Sequence, residues 1–127
     1  HYITQVFNYV GLTIWLEEEA SIDVLGAVAG SGPAYFFEFM NGLQQAAEAL
    51  GFDAKTARAM VQQTALGAAK MASESDLSLV DLRKQVTSKG GSTAKGIDAY
   101  QENDLDGISD KAVRAAVARN QEMATLF

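Results

Sequence analysis

Cysteine is absent from the 127 residues, proline and histidine occur once each, and the 10 basic residues form no cluster against 16 acidic ones. Without cysteine there are no disulfides, no thiolate chemistry and no cysteine-bound metal, which suits a reducing, cytoplasmic setting. His1 stands at the extreme terminus and is given no role. The acidic run Glu17–Glu19 has no second ligand cluster and reads as a solvated face, so no metal site is expected. A net charge of -6 argues against a phosphate backbone or an anionic membrane as partner. No uncharged run reaches the roughly 20 residues that span a bilayer. The one from Val24 to Phe37 contains Gly30, Gly32 and Pro33. The first twenty residues lack the basic start, apolar core and small-residue cleavage site of a secretory signal, and read as a chain cut out of something longer.

What is abundant is alanine, 21 residues, within a 48% hydrophobic composition. Apolar residues recur at three- and four-residue spacing, so the body is expected to be helical and globular, with a modest core. Tyr2 to Val10 could be a helix. Leu12 to Leu16, with Thr13, Ile14 and Trp15, reads as a short strand. A lone strand has nothing here to pair with, so it is assigned to a neighbouring domain.

From Ile22 onward about six helices are expected: Ile22 to Ala29, Ser31 to about Leu50, Asp53 to beyond Ala72, Ser78 to Val86, Thr93 to about Gln101, and Asp104 to Thr125. Pro33 suits the first helical position, Gly51 a stop, and Asp53, Ser78 and Asp104 are caps. Ala57, Met60, Val61, Thr64, Ala65, Ala68 and Ala72 form one stripe of small residues, which lets two helices approach closely. Phe36, Phe37, Phe39 and Met40 make the preceding helix apolar on nearly every side, and a partner chain is the expected second wall.

Two glycine-rich helix starts carry the chemistry, Gly30-Ser31-Gly32-Pro33 and Gly90-Gly91-Ser92-Thr93. Neither completes a dinucleotide fingerprint or a phosphate loop, so no cofactor-binding residue is assigned. Each alone is more often a plain helix cap. At the second, however, Thr87, Ser88, Ser92 and Thr93 offer more hydroxyls than one cap consumes, and a helix amino terminus with close-approaching glycines can hold an anion. Lys89 and Lys95 flank this corner and are read as solvating it.

Three blocks, Ala29-Gly30-Ser31-Gly32-Pro33-Ala34-Tyr35, Gly67-Ala68-Ala69-Lys70-Met71 and Leu82 through Thr93, in that order and spacing, resemble the carboxy-terminal half of pyrroline-5-carboxylate reductase. The resemblance runs from about Ile14 to Met123. Lys89 stands where the family often has proline, and Ser92 where it has threonine or alanine; neither removes a backbone donor.

The resemblance implies an all-α fold, a helical dimerisation domain of the 6-phosphogluconate dehydrogenase C-terminal-like type, with a residual strand from a missing Rossmann domain. Residues 1–21 would be the end of that domain and 22–127 the helical domain. It implies an oxidoreductase that reduces 1-pyrroline-5-carboxylate to L-proline, with NADPH or NADH held mainly by the Rossmann part, so the chain alone would be inactive. By the same resemblance Ser88, Gly90, Gly91, Ser92 and Thr93 bind the substrate carboxylate, and Thr93, the catalytic assignment, lies near the ring imine. A homodimer of interlocked helices is implied, and higher assemblies occur in the family. The competing reading is a non-catalytic helical interaction domain, in which the glycine corner is only a cap.

Overall fold

The computed structural model describes residues 11–126. The expected helix Tyr2–Val10 and His1 lie outside them. Among the described residues six α-helices occur in order: α1 (Ala20–Leu25), α2 (Gly32–Ala49), α3 (Ala54–Glu74), α4 (Leu79–Gln85), α5 (Ser92–Glu102) and α6 (Leu105–Leu126), with a π-helical turn, Gly26–Gly30, between α1 and α2. None is long and apolar enough to cross a membrane.

The chain divides into two compact units, residues 1–31 with 113–127, and residues 32–112. In the first, α1 begins on the acidic run, where Ser21 and Ile22 N–H groups bond the Glu18 and Glu19 carbonyls at 3.1 and 3.0 Å. Carboxylates at a helix amino terminus oppose its dipole favourably. The register then slips, with Ser31 N–H reaching the Gly26 carbonyl five residues back at 2.9 Å. Such a slip leaves a carbonyl short of an intrahelical donor. At the end of α1 the Gly26 N–H bonds the Asp23 carbonyl, and the Asn120 amide donates to the same oxygen at 3.1 Å. Ala27, within the turn, is fully buried.

The expected strand at Leu12–Leu16 is not formed. A strand needs a ladder partner, and there is no other strand among the described residues. Instead Leu12, Ile14, Trp15 and Leu16 run as irregular chain with their side chains exposed.

In the second unit, α2 and α3 pack on one another. Their connection is compact. Phe52 N–H bonds the Ala47 carbonyl at 3.2 Å and Gly51 N–H the Glu48 carbonyl at 3.1 Å, with Gly51 at φ 114. That paired bonding at a left-handed residue is a Schellman stop. Asp53 then caps α3, its carboxylate accepting from the Thr56 backbone N–H and hydroxyl, each at 2.9 Å. The small-residue stripe of α3 buries Ala57 and Val61 and half-buries Ala65 and Ala72. Pro33 is the second residue of α2, still within the turn whose N–H groups have no intrahelical acceptor.

Candidate functional site: the glycine corner between α4 and α5

Helix α4 is seven residues long, opened by Ser78, whose hydroxyl accepts from Asp81 N–H at 3.1 Å. It closes tightly. Thr87 N–H turns back to the Lys84 carbonyl at 3.2 Å, and the Thr87 hydroxyl donates to the Arg83 carbonyl at 2.6 Å. The chain then reverses over Ser88–Gly91, with Gly91 N–H on the Ser88 carbonyl at 3.1 Å. Gly90 sits third in this turn at φ 75, the left-handed position that favours glycine in a type II turn.

Gly91 leaves room for Ser88. A Cβ there would lie 2.5 Å from the Ser88 hydroxyl oxygen and 3.3 Å from the Ser88 carbonyl oxygen. Ser88 therefore folds its hydroxyl over the start of α5. Gly91 occupies the N-cap position of α5 in extended backbone, with no side-chain cap, and the first intrahelical bond runs from Lys95 N–H to the Gly91 carbonyl. The N–H groups of Ser92, Thr93 and Ala94, in the first turn, have no intrahelical acceptor. A plain helix cap would satisfy these donors with a side-chain oxygen.

The structure thus brings Ser88, Gly90, Gly91, Ser92 and Thr93 together within one turn and the first residues of one helix. Gly91 is half-buried and the other four are exposed, as are Lys89 and Lys95. Thr87 departs from the sequence reading. Its hydroxyl is committed to Arg83 and is not part of the surplus around the glycines. Its spacing of four from Arg83 is the signal, since Ser and Thr bond the carbonyl four residues back when a helix ends.

Behind the corner, between α4 and α5, Arg83, Thr87, Ala94, Ile97 and Gln101 help line a cleft of about 210 Å³. A second cleft, of about 410 Å³, continues past Arg83 to Phe39, Tyr100 and Asp104. There the Phe39 and Tyr100 rings meet at 5.6 Å, tilted by 39°. Asp104 holds φ 56 and accepts from Gly107 N–H at 3.2 Å, capping α6.

Neither glycine-rich start fits a dinucleotide. Such a cradle needs a strand leading into the glycine turn, whereas Gly30–Gly32 joins the end of the π-helical turn to the start of α2 and Gly90–Gly91 follows α4.

A family model described as pyrroline-5-carboxylate reductase dimerisation matches residues 19–123. The chain belongs to the pyrroline-5-carboxylate reductase dimerisation family. It is 47% identical over 127 residues to the pyrroline-5-carboxylate reductase of Vibrio alginolyticus, covering 99% of this chain and 47% of that one. Against the Pseudomonas aeruginosa reductase the identity is 43% over 120 residues, with 94% and 44% covered. Among solved structures, the Coxiella burnetii reductase superposes with a TM-score of 0.91 at 44% identity, covering 95% of this chain and 45% of that one. The Plasmodium falciparum reductase, solved with NADP bound, gives 0.85 at 30% identity, with 96% and 46% covered. The chain spans about half the length of the curated reductases it matches.

Proposed function

We propose that this chain is the carboxy-terminal, helical part of an oxidoreductase that reduces 1-pyrroline-5-carboxylate to L-proline with NADPH or NADH. Its own contribution is the substrate-carboxylate loop and the dimer-forming surface. The observation that carries the reading is the uncapped start of α5, with the Ser88 hydroxyl beside Gly91 and no side-chain oxygen on the first N–H groups of the helix. In a chain of net charge -6 a carboxylate gains nothing from global attraction. A helix amino terminus supplies local positive potential instead.

The division of labour reflects the chemistry. Reducing a cyclic imine requires the ring to be fixed against the hydride donor, and a clamped carboxylate fixes one end of it. Ser88 and Ser92 offer hydroxyls, and Gly90 and Gly91 let the ligand approach the backbone. Thr93 donates to or relays a hydrogen bond at the imine nitrogen. The cofactor belongs to the remainder of the protein, for which residues 1–21 are the trailing segment. A homodimer supplies the second wall for α2, and the cytoplasm suits a cysteine-free chain.

Two variants of the intact protein test this. Ser88→Ala and Thr93→Ala should each lower kcat/KM for the imine by about 5- to 150-fold, the equivalent of about 1–3 kcal/mol for one buried polar contact. Wild-type kinetics in both would remove the site. Titrating the protein with proline should move the backbone amide signals of Gly90 to Thr93; a silent loop would favour the non-catalytic interaction domain.

A further inference from the structure

We infer that Thr87 is a positioning residue, which holds Ser88 over the start of α5 by closing the end of α4. This role rests on the carboxylate-loop reading above and deepens it.

The Arg83 carbonyl is one of the last of α4, and its backbone donor is the Val86 N–H at a long 3.3 Å. The Thr87 hydroxyl approaches the same oxygen at 2.6 Å, so the side chain makes the shorter of the two bonds. Thr87 is half-buried while Ser88, Lys89 and Gly90 are exposed, which makes Thr87 the last residue of this stretch held by its surroundings before the turn. The turn itself is closed by a single backbone bond, Gly91 N–H to the Ser88 carbonyl at 3.1 Å.

Without its hydroxyl, residue 87 keeps its N–H on Lys84 and its apolar contacts, but the side-chain tie to Arg83 is lost. The direction in which the chain leaves α4 is then fixed by backbone bonds alone. Ser88 is the next residue, and its hydroxyl sits so close to Gly91 that no Cβ fits between them. A small change in exit direction therefore opens the gap between Ser88 and α5. The anion-facing hydroxyl moves while the helix donors stay.

The test uses the intact protein with Thr87→Val, which keeps the shape and removes the donor, and Thr87→Ser, which keeps the donor. In Thr87→Val, KM for the imine should rise about fivefold, with kcat within twofold, since one net hydrogen bond is worth about that factor. Thr87→Ser should restore KM. Hydrogen–deuterium exchange at the Gly91 amide should quicken severalfold in Thr87→Val and return in Thr87→Ser. An unchanged Gly91 exchange in Thr87→Val overturns the clamp whatever the kinetics show. Faster exchange with unchanged KM, while Ser88→Ala raises KM, overturns the positioning role and leaves the carboxylate loop standing. If neither Thr87→Val nor Ser88→Ala alters KM, the positioning role falls, and the loop reading falls with it when Thr93→Ala also keeps wild-type kinetics.

Discussion

At the scale of single residues, polar atoms decide more than volume does. Asp53 is the clearest case, because the Thr56 backbone and hydroxyl donors hold its carboxyl below the usual carboxylate range. A carboxylate whose folded pKa is depressed contributes stability that is fully present above its unfolded pKa. That contribution is lost as pH falls through the folded value. Asp53→Ala should therefore lower the melting temperature by a constant amount near neutrality, and the gap should narrow as the pH drops below about 4. A gap that stayed constant down to strongly acidic pH would show that the charge is not what stabilises this cap. Tyr35 presents the opposite situation, a buried hydroxyl with no hydrogen-bond partner among the described residues. Removing an unpaired buried group relieves a desolvation cost, so Tyr35→Phe should melt at the same temperature or higher. A loss of more than about 1 kcal/mol would show that the hydroxyl is bonded in solution. The caps were legible in the sequence, since Asp53, Ser78 and Asp104 each precede helical periodicity. The orphaned hydroxyl was not, because it depends on tertiary surroundings.

At the scale of elements, the helices from Ile22 onward were legible to within a few residues because alanine-rich amphipathic runs with one proline leave few alternatives. Two features were not. The apolar run Leu12–Leu16 carries strand-forming residues, yet a strand exists only through a partner, and propensity alone cannot supply one. The slip into the π-helical turn at Gly26–Gly30 lies beside the Asn120 amide, which donates to the Asp23 carbonyl across 97 residues of sequence, a contact that no local pattern encodes. Helix α2 shows what a local pattern can reveal. Its aromatic residues remain exposed in the chain, Phe36 at 69% and Phe37 at 68%, although α2 packs against α3 and Phe39 meets Tyr100. Burying one such ring is worth about 1.5–3 kcal/mol, which solvent exposure forfeits. Phe37→Asp should reduce the mass in light scattering from dimer towards monomer, and the helix content should fall with the dimer because the apolar faces of the chain lose their cover. A dimer of unchanged mass would place the subunit contact elsewhere.

At the scale of the whole molecule, the core is too sparse for a self-sufficient domain. Among the described residues the buried hydrophobic ones are Ala27, Ala57 and Val61, all small or medium in size, and no large side chain is fully buried. Small domains are already marginal in the surface they can bury. A chain whose leucines, phenylalanines and methionines face outward, such as Leu50, Leu66, Phe36 and Met71, must obtain its missing burial from association. The sequence could show that the start of α2 was apolar on nearly every side, but not how little of it the chain's own helices would cover. Folding coupled to dimerisation obeys mass action, so stability depends on concentration. Each tenfold dilution should cost about 1.4 kcal/mol per dimer. For a folding unit of about 250 residues that lowers the melting temperature by about 3–5 °C. Melting the chain by circular dichroism across a hundredfold concentration range measures it directly. A midpoint independent of concentration would mean that the subunit folds before it associates, and that its exposed apolar faces are tolerated by the monomer.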